Sequence, residues 1–126
     1  MSLLILRMSA DESQIFALHQ LEILDISQND LIELPQEISD LKFLRVLYVN
    51  DNNLTDLPLG LGSISTLRML KVTGNPWKSD IKDVLHLADS SFSPAHNEGQ
   101  NGRDRYITTI LIDYLRKKQA SMDEYR

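Results

Sequence analysis

Residues 41–61 read Leu41-Lys42-Phe43-Leu44-Arg45-Val46-Leu47-Tyr48-Val49-Asn50-Asp51-Asn52-Asn53-Leu54-Thr55-Asp56-Leu57-Pro58-Leu59-Gly60-Leu61. Leucine or an equivalent aliphatic stands at 41, 44, 47, 49, 54, 57 and 61, with asparagine at 52 and proline at 58. The same pattern precedes it as Leu18, Leu21, Leu24, Ile26, Asn29, Leu31, Leu34, Pro35 and Ile38, and follows it as Ile64, Leu67, Leu70, Val72 and Asn75, stopping at Pro76. Every offset is 23 residues: 41 − 18, 64 − 41, 52 − 29 and 75 − 52. A fixed period of this length marks a solenoid, whose units bury their apolar faces by stacking on one another.

Each position has a physical reading. Leu24 and Ile26 alternate with polar neighbours at period two, so they point inward from a short strand, as do Leu47 with Val49 and Leu70 with Val72. Asn29, Asn52 and Asn75 fall where the chain turns out of the strand, and stacked asparagines there can bond backbone groups that a turn leaves unpaired. Leu34-Pro35 and Leu57-Pro58 fix φ and end regular pairing on the opposite, convex side.

The pattern L-x-x-L-x-x-L-x-L-x-x-N-x-L-x-x-L-P-x-x-[IL] resembles the short cytoplasmic leucine-rich repeat, in the variety found in Ras-suppressor and scribble-type scaffolds and plant Ras-group proteins. The resemblance spans residues 15–77 and implies an α/β solenoid with short parallel strands on the concave face. It also implies a cytoplasmic adaptor role in signalling, with small GTPases, kinases or phosphatases as partners. Repeats of this type also position cyclase, kinase or phosphatase domains, so the alternative is a regulatory region of a larger signalling enzyme or receptor.

Residues 1–17 form a degenerate or truncated first repeat. Projecting the period backwards sets Leu3 on Ile26, Met8 on Leu31 and Ile15 on Ile38, but Leu6 on the asparagine and Asp11 on a core leucine. With no evident polar cap, that end is expected to join further sequence or to self-associate. Residues 78–126 are expected to form a helical C-terminal cap. Ser79 starts a helix with Ile81, Val84, Leu85 and Leu87 on its apolar side. Residues 88–103, crowded with Asp, Ser, Asn, Gly and Pro, read as a flexible loop. A second helix from Asp104 carries Ile107, Ile110, Leu111, Tyr114 and Leu115 as its core stripe, covering the open end of the stack with Trp77 packed between.

Composition narrows the function. With 126 residues, 42% hydrophobic and 25% charged, the chain has the balance of an ordinary globular domain. Its net charge of −5 speaks against nucleic acid or an anionic membrane as a partner. Without cysteine it has neither disulfides nor thiolate metal sites, which favours a reducing, cytoplasmic setting. No apolar run approaches the ~18 residues of a membrane span.

Catalytic constellations are weak. Asp80, Asp83 and His86 follow one another at helical spacing, yet an acidic helix start accounts for them without a metal. Ser90, Ser91 and His96 share the loop, and Ser91-Phe92-Ser93-Pro94 is a weak kinase-site pattern. The five glycines are scattered and make no phosphate-binding loop. The chain therefore reads as a non-enzyme, with no metal or cofactor.

Period-two reasoning instead points to the outward strand residues as a protein-binding surface. One column is Ile23, Val46 and Met69; the next is Asp25, Tyr48 and Lys71; Asn50 and Asp51 continue it towards the rim. Tyr48 has no core role in the repeat, and aromatic anchors inside a polar rim are what interfaces use for affinity.

Overall fold

The computed structural model describes residues 3–5, 19–91 and 99–123. The repeat positions fold as the period requires. Four strands, β1 (Leu3–Ile5), β2 (Ile23–Asp25), β3 (Val46–Tyr48) and β4 (Met69–Lys71), lie parallel in one sheet in chain order. Between β2 and β4 the register is the 23-residue period itself, pairing Leu24 with Leu47 and Leu47 with Leu70. Each of these strands buries its middle residue and half-exposes the two flanking it. Pro35 and Pro58, at φ −68 and −64, open single 3-10 turns, Gln36–Asp40 and Leu59–Ser63, on the far side of the coil. Their Ile38 and Leu61 enter the core beside Leu41, Leu44 and Leu54.

Asparagine does the work of a ladder between the coils. Asn52 Oδ1 accepts from the backbone N–H groups of Asn29 (3.1 Å) and Leu31 (3.2 Å), while its Nδ2 donates to the carbonyls of Ile26 (3.1 Å) and Val49 (3.0 Å). Asn75 repeats the arrangement one coil on, accepting from Asn52 and Leu54 at 3.1 Å and donating to Val49 and Val72. The turn needs a left-handed residue just before each asparagine: Gln28, Asp51 and Gly74 take φ of 56°, 60° and 76°. At Gly74 a Cβ would lie 2.2 Å from Asp51 Oδ1, so the last turn also needs glycine for space.

Three expectations are corrected. The first strand pairs Leu3 with Ile23, an offset of 20 rather than 23, so Leu3 does not align with Ile26. A strict 23-residue step would have put the strand about Met1 and Ser2 instead of over Leu3-Leu4-Ile5, the apolar β-forming run. Leu6, Met8, Asp11, Ile15 and Leu18 lie outside the described residues.

The flexible loop over 88–103 is also corrected. Helix α1 runs Ser79–Ser91 and helix α2 runs Gly99–Asp123, so both ends of that segment are helical. Ala88 is fully buried and Asp104 nearly so, and this tertiary contact outweighs the weak helix propensity of the Ser, Asn and Gly residues around them. Residues 92–98, with Phe92, Ser93, Pro94 and His96, lie outside the described residues.

Finally, the core stripes are rotated. On α2, Thr108, Leu111, Ile112 and Leu115 are buried and Ile107 and Tyr114 pack against the core, whereas Ile110 is half-buried and takes no part in it. On α1, Ile81 and Ala88 are buried and Leu87 is exposed at 62%. Trp77 is buried in the shared core and donates its indole N–H to Val72 O at 2.9 Å, closing the coil before the cap begins. Thr108 closes the sheet: Leu70 N–H, on edge strand β4, donates to Thr108 Oγ1 at 2.7 Å. An edge strand covered in this way offers no template for further pairing.

Candidate functional site

The outward columns form the face that the sheet leaves uncovered by its own core. Parallel register sets Ile23, Val46 and Met69 side by side, and Asp25, Tyr48 and Lys71 side by side. All six are half-buried. Tyr48 thus stands between an acid on β2 and a base on β4, its ring fixed on a strand and flanked on both sides.

Asp25, Tyr48, Asn50, Met69 and Lys71 share one recess of about 240 Å³, together with Ser27 and Asp104. Ser27 caps the Asp25 carboxylate, its N–H and hydroxyl donating to Oδ1 at 3.0 and 2.5 Å. Ile23 and Val46 lie outside this recess, in the neighbouring column. Asp51 is turned to the rim: it is exposed, accepts from Asn50 Nδ2 at 2.8 Å and overhangs Gly74. The surface that emerges is polar, with Tyr48 and Met69 as its apolar points.

Asp104 is the member that period-two reasoning misses. It comes from α2, which runs past β4 and brings this buried residue into the lining of the recess. A repeat pattern contains no information about a residue contributed from beyond the repeats. The signal that was available is a lone acid one turn before Thr108, on the face that α2 buries.

Other polar groupings are structural. Asp80 Oδ2 accepts from the Tyr114 hydroxyl at 2.5 Å and from Lys118 Nζ at 3.2 Å, tying the two helices together. The tyrosine hydrogen bond, seconded by Lys118, holds the Asp80 carboxyl at about 2 although burial works the other way. Burial, with the carboxylate beside it, pushes Tyr114 up. Asp83 and His86, read beside Asp80 in sequence, are exposed. Among the described residues no three His, Asp or Glu side chains gather as a metal would require, and no helix is long and apolar enough to cross a membrane.

No curated protein matches the chain. A family model does: the Leucine Rich Repeat, at residues 20–41 and again at 43–64. Such repeats generally mediate protein–protein interaction. The two matched segments are consecutive coils of the stack, each carrying one strand, one ladder asparagine and one Leu-Pro turn, and residues 20–64 are leucine-rich repeats.

Proposed function

We propose that the protein is an adaptor whose partner protein docks on the concave strand face, over Ile23, Asp25, Val46, Tyr48, Asn50, Asp51, Met69 and Lys71. The observation that carries this reading is the convergence of Asp25, Tyr48, Asn50, Met69 and Lys71 from three strands on one recess. Tyr48 supplies a rigid amphipathic anchor with few torsions to immobilise. Asp25 and Lys71 on either side offer complementary charges that set register more than raw affinity.

The setting we propose is the cytoplasm, in signalling, with a small GTPase, kinase or phosphatase as the partner class. The chain's acidity and lack of cysteine support that setting. The described face is small, so affinity should be moderate.

Pull-down from cell lysate, followed by mass spectrometry, compares wild type with Val46→Glu/Tyr48→Glu. Both substitutions fall on half-exposed side chains, so thermal melts should show both proteins folded. Partners captured by wild type should be lost with the folded variant. Identical capture by both would remove the concave face as the binding site.

A further inference from the structure

A second surface lies away from the concave face. A groove of about 860 Å³ runs between α2 and the side of the coils where the chain enters β3 and β4. Arg45 and Arg68, one repeat apart and each just ahead of its strand, line one wall; Arg105 and Arg116 line the other from α2. Leu67 and Ile110 give the groove an apolar floor between them. The rotated register of α2 accounts for Ile110, which leaves the core stripe and faces this space.

Four guanidinium groups thus surround one groove in a chain of net charge −5. The one carboxylate in the lining, Asp113, pairs with Lys117 at 3.0 Å on the exposed side of α2, a pair as open to exchange as any on the surface. Among the described residues no carboxylate forms an ion pair with Arg68, Arg105 or Arg116. Arg45 meets Glu22 at 3.5 Å, but both side chains are well exposed and such a pair is easily exchanged.

Two of the arginines are held in place by backbone. Arg116 Nε donates to Gly62 O at 2.6 Å, and Arg68 Nη1 donates to Ser65 O at 2.8 Å. A guanidinium has five N–H donors, so these bonds fix the plane and leave the rest of the fork for an incoming carboxylate. Gathering like charges costs free energy in the unbound protein, and an anionic ligand relieves it. Arg45 also lines an adjoining hollow with Gln20, Glu22, Thr66 and Phe43, an exposed aromatic at 57%.

We propose that this groove binds an acidic segment of a protein partner, its carboxylates on Arg45, Arg68, Arg105 and Arg116 and an aliphatic or aromatic side chain on Leu67, Ile110 and Phe43. A peptide fits better than a nucleic acid. Away from the groove the acidic protein repels a long polyphosphate, and the apolar residues between the arginines are the aliphatic Leu67, Ile110 and Ile112, where single strands need aromatic platforms. The site is independent of the concave face: it shares no residue with it.

The test is selection of a randomised 12-residue peptide library on the full chain, with enriched peptides then titrated by fluorescence anisotropy. Enriched sequences should be rich in Asp and Glu with interspersed Leu or Phe. Arg68→Gln/Arg105→Gln should weaken them by about tenfold or more, and Tyr48→Glu should leave them unchanged. The arginines replaced are exposed, and a thermal melt matching wild type shows that the fold is kept. The proposal is overturned by no enrichment of acidic peptides, by equal binding of the arginine variant, or by tighter binding of a twelve-nucleotide oligo-dT than of the selected peptides. Concentration-dependent dimerisation lost in the arginine variant, with no peptide binding, would assign the groove to a second copy and would equally sink the peptide reading.

Discussion

The repeat stack and the helical cap are held together by different means. In the stack, the contacts that join coil to coil recur: Asn52 and Asn75 make the same four kinds of bond one coil apart, and the left-handed turn recurs at Gln28, Asp51 and Gly74. In the cap, each contact is singular: Thr108 on Leu70, Trp77 on Val72, Asp80 on Tyr114, Arg116 on Gly62. A recurring contact satisfies buried backbone in two coils at once, so its loss propagates. A singular one fixes the position of a helix, and its loss is local.

The contrast is broken or sharpened by four measurements. The largest effect belongs to the ladder. Asn52→Ala removes the acceptor of the Asn29 and Leu31 N–H groups and one of the two amide donors at the Ile26 and Val49 carbonyls, which Asn29 and Asn75 still reach, and should lower stability by about 3 kcal/mol in urea denaturation. If it costs no more than a cap substitution, recurrence carries no special weight.

Next comes the turn at the end of the ladder. Gly74→Ala meets Asp51 Oδ1 and a φ of 76°, and should cost about 2 kcal/mol. Asp51→Gly clears the side-chain clash but not the strained φ at position 74, and relaxes its own φ of 60°, so the cost of Gly74→Ala measured within Asp51→Gly should be smaller than in wild type. An equal cost in both backgrounds would show that φ, not space, sets the requirement.

Thr108→Val keeps the side chain's shape and removes the acceptor of Leu70 N–H. The expected loss is about 1.5 kcal/mol by chemical denaturation, smaller than that of Asn52→Ala because one N–H loses its acceptor, with only a long contact of 3.4 Å lost at Leu70 O, where Asn52→Ala strips two N–H groups.

The smallest effect is the pH dependence of the cap. Asp80 titrates at about 2 in the fold against an ordinary value of 3.8, so its bonds to Tyr114 and Lys118 contribute fully above that ordinary value. The contribution is lost as pH falls from near 4 towards 2. The carboxylate is about a third exposed and water screens it, so ~1 kcal/mol is the scale. Asp80→Asn should flatten this part of the stability–pH curve; an unchanged slope would show that other carboxylates set acid stability.

What could be read from the chain itself differs between the two regions for the same reason. The 23-residue recurrence predicts β2, β3 and β4, their register and the inward set Leu24, Leu47 and Leu70, because each strand's neighbour is another copy of the same pattern. In α2 two stripes compete: Ile107-Ile110-Leu111-Tyr114-Leu115 and Thr108-Leu111-Ile112-Leu115 overlap on a helix that is apolar over a wide arc. Hydrophobicity alone favours the first. The structure uses the second, since only that rotation puts Thr108 on the bare edge of β4 and leaves Ile110 to the groove.

The candidate sites divide along the same line. Tyr48, Asp25 and Lys71 were legible because an outward strand position follows from an inward one by alternation. Asp104, and the meeting of Arg45 and Arg68 with Arg105 and Arg116, were not, because the partners come from segments with no fixed spacing to the repeats.

By itself, then, the sequence determined the repeat, the parallel sheet, the asparagine ladder and the face on which Tyr48 stands, all of which rest on interactions that recur at one period. The tertiary structure alone decided the 20-residue step to β1, the extent of α1 and α2, the rotation of the cap and the arginine groove. These depend on which surface a helix or strand meets once, and a single meeting leaves no periodic trace in the chain.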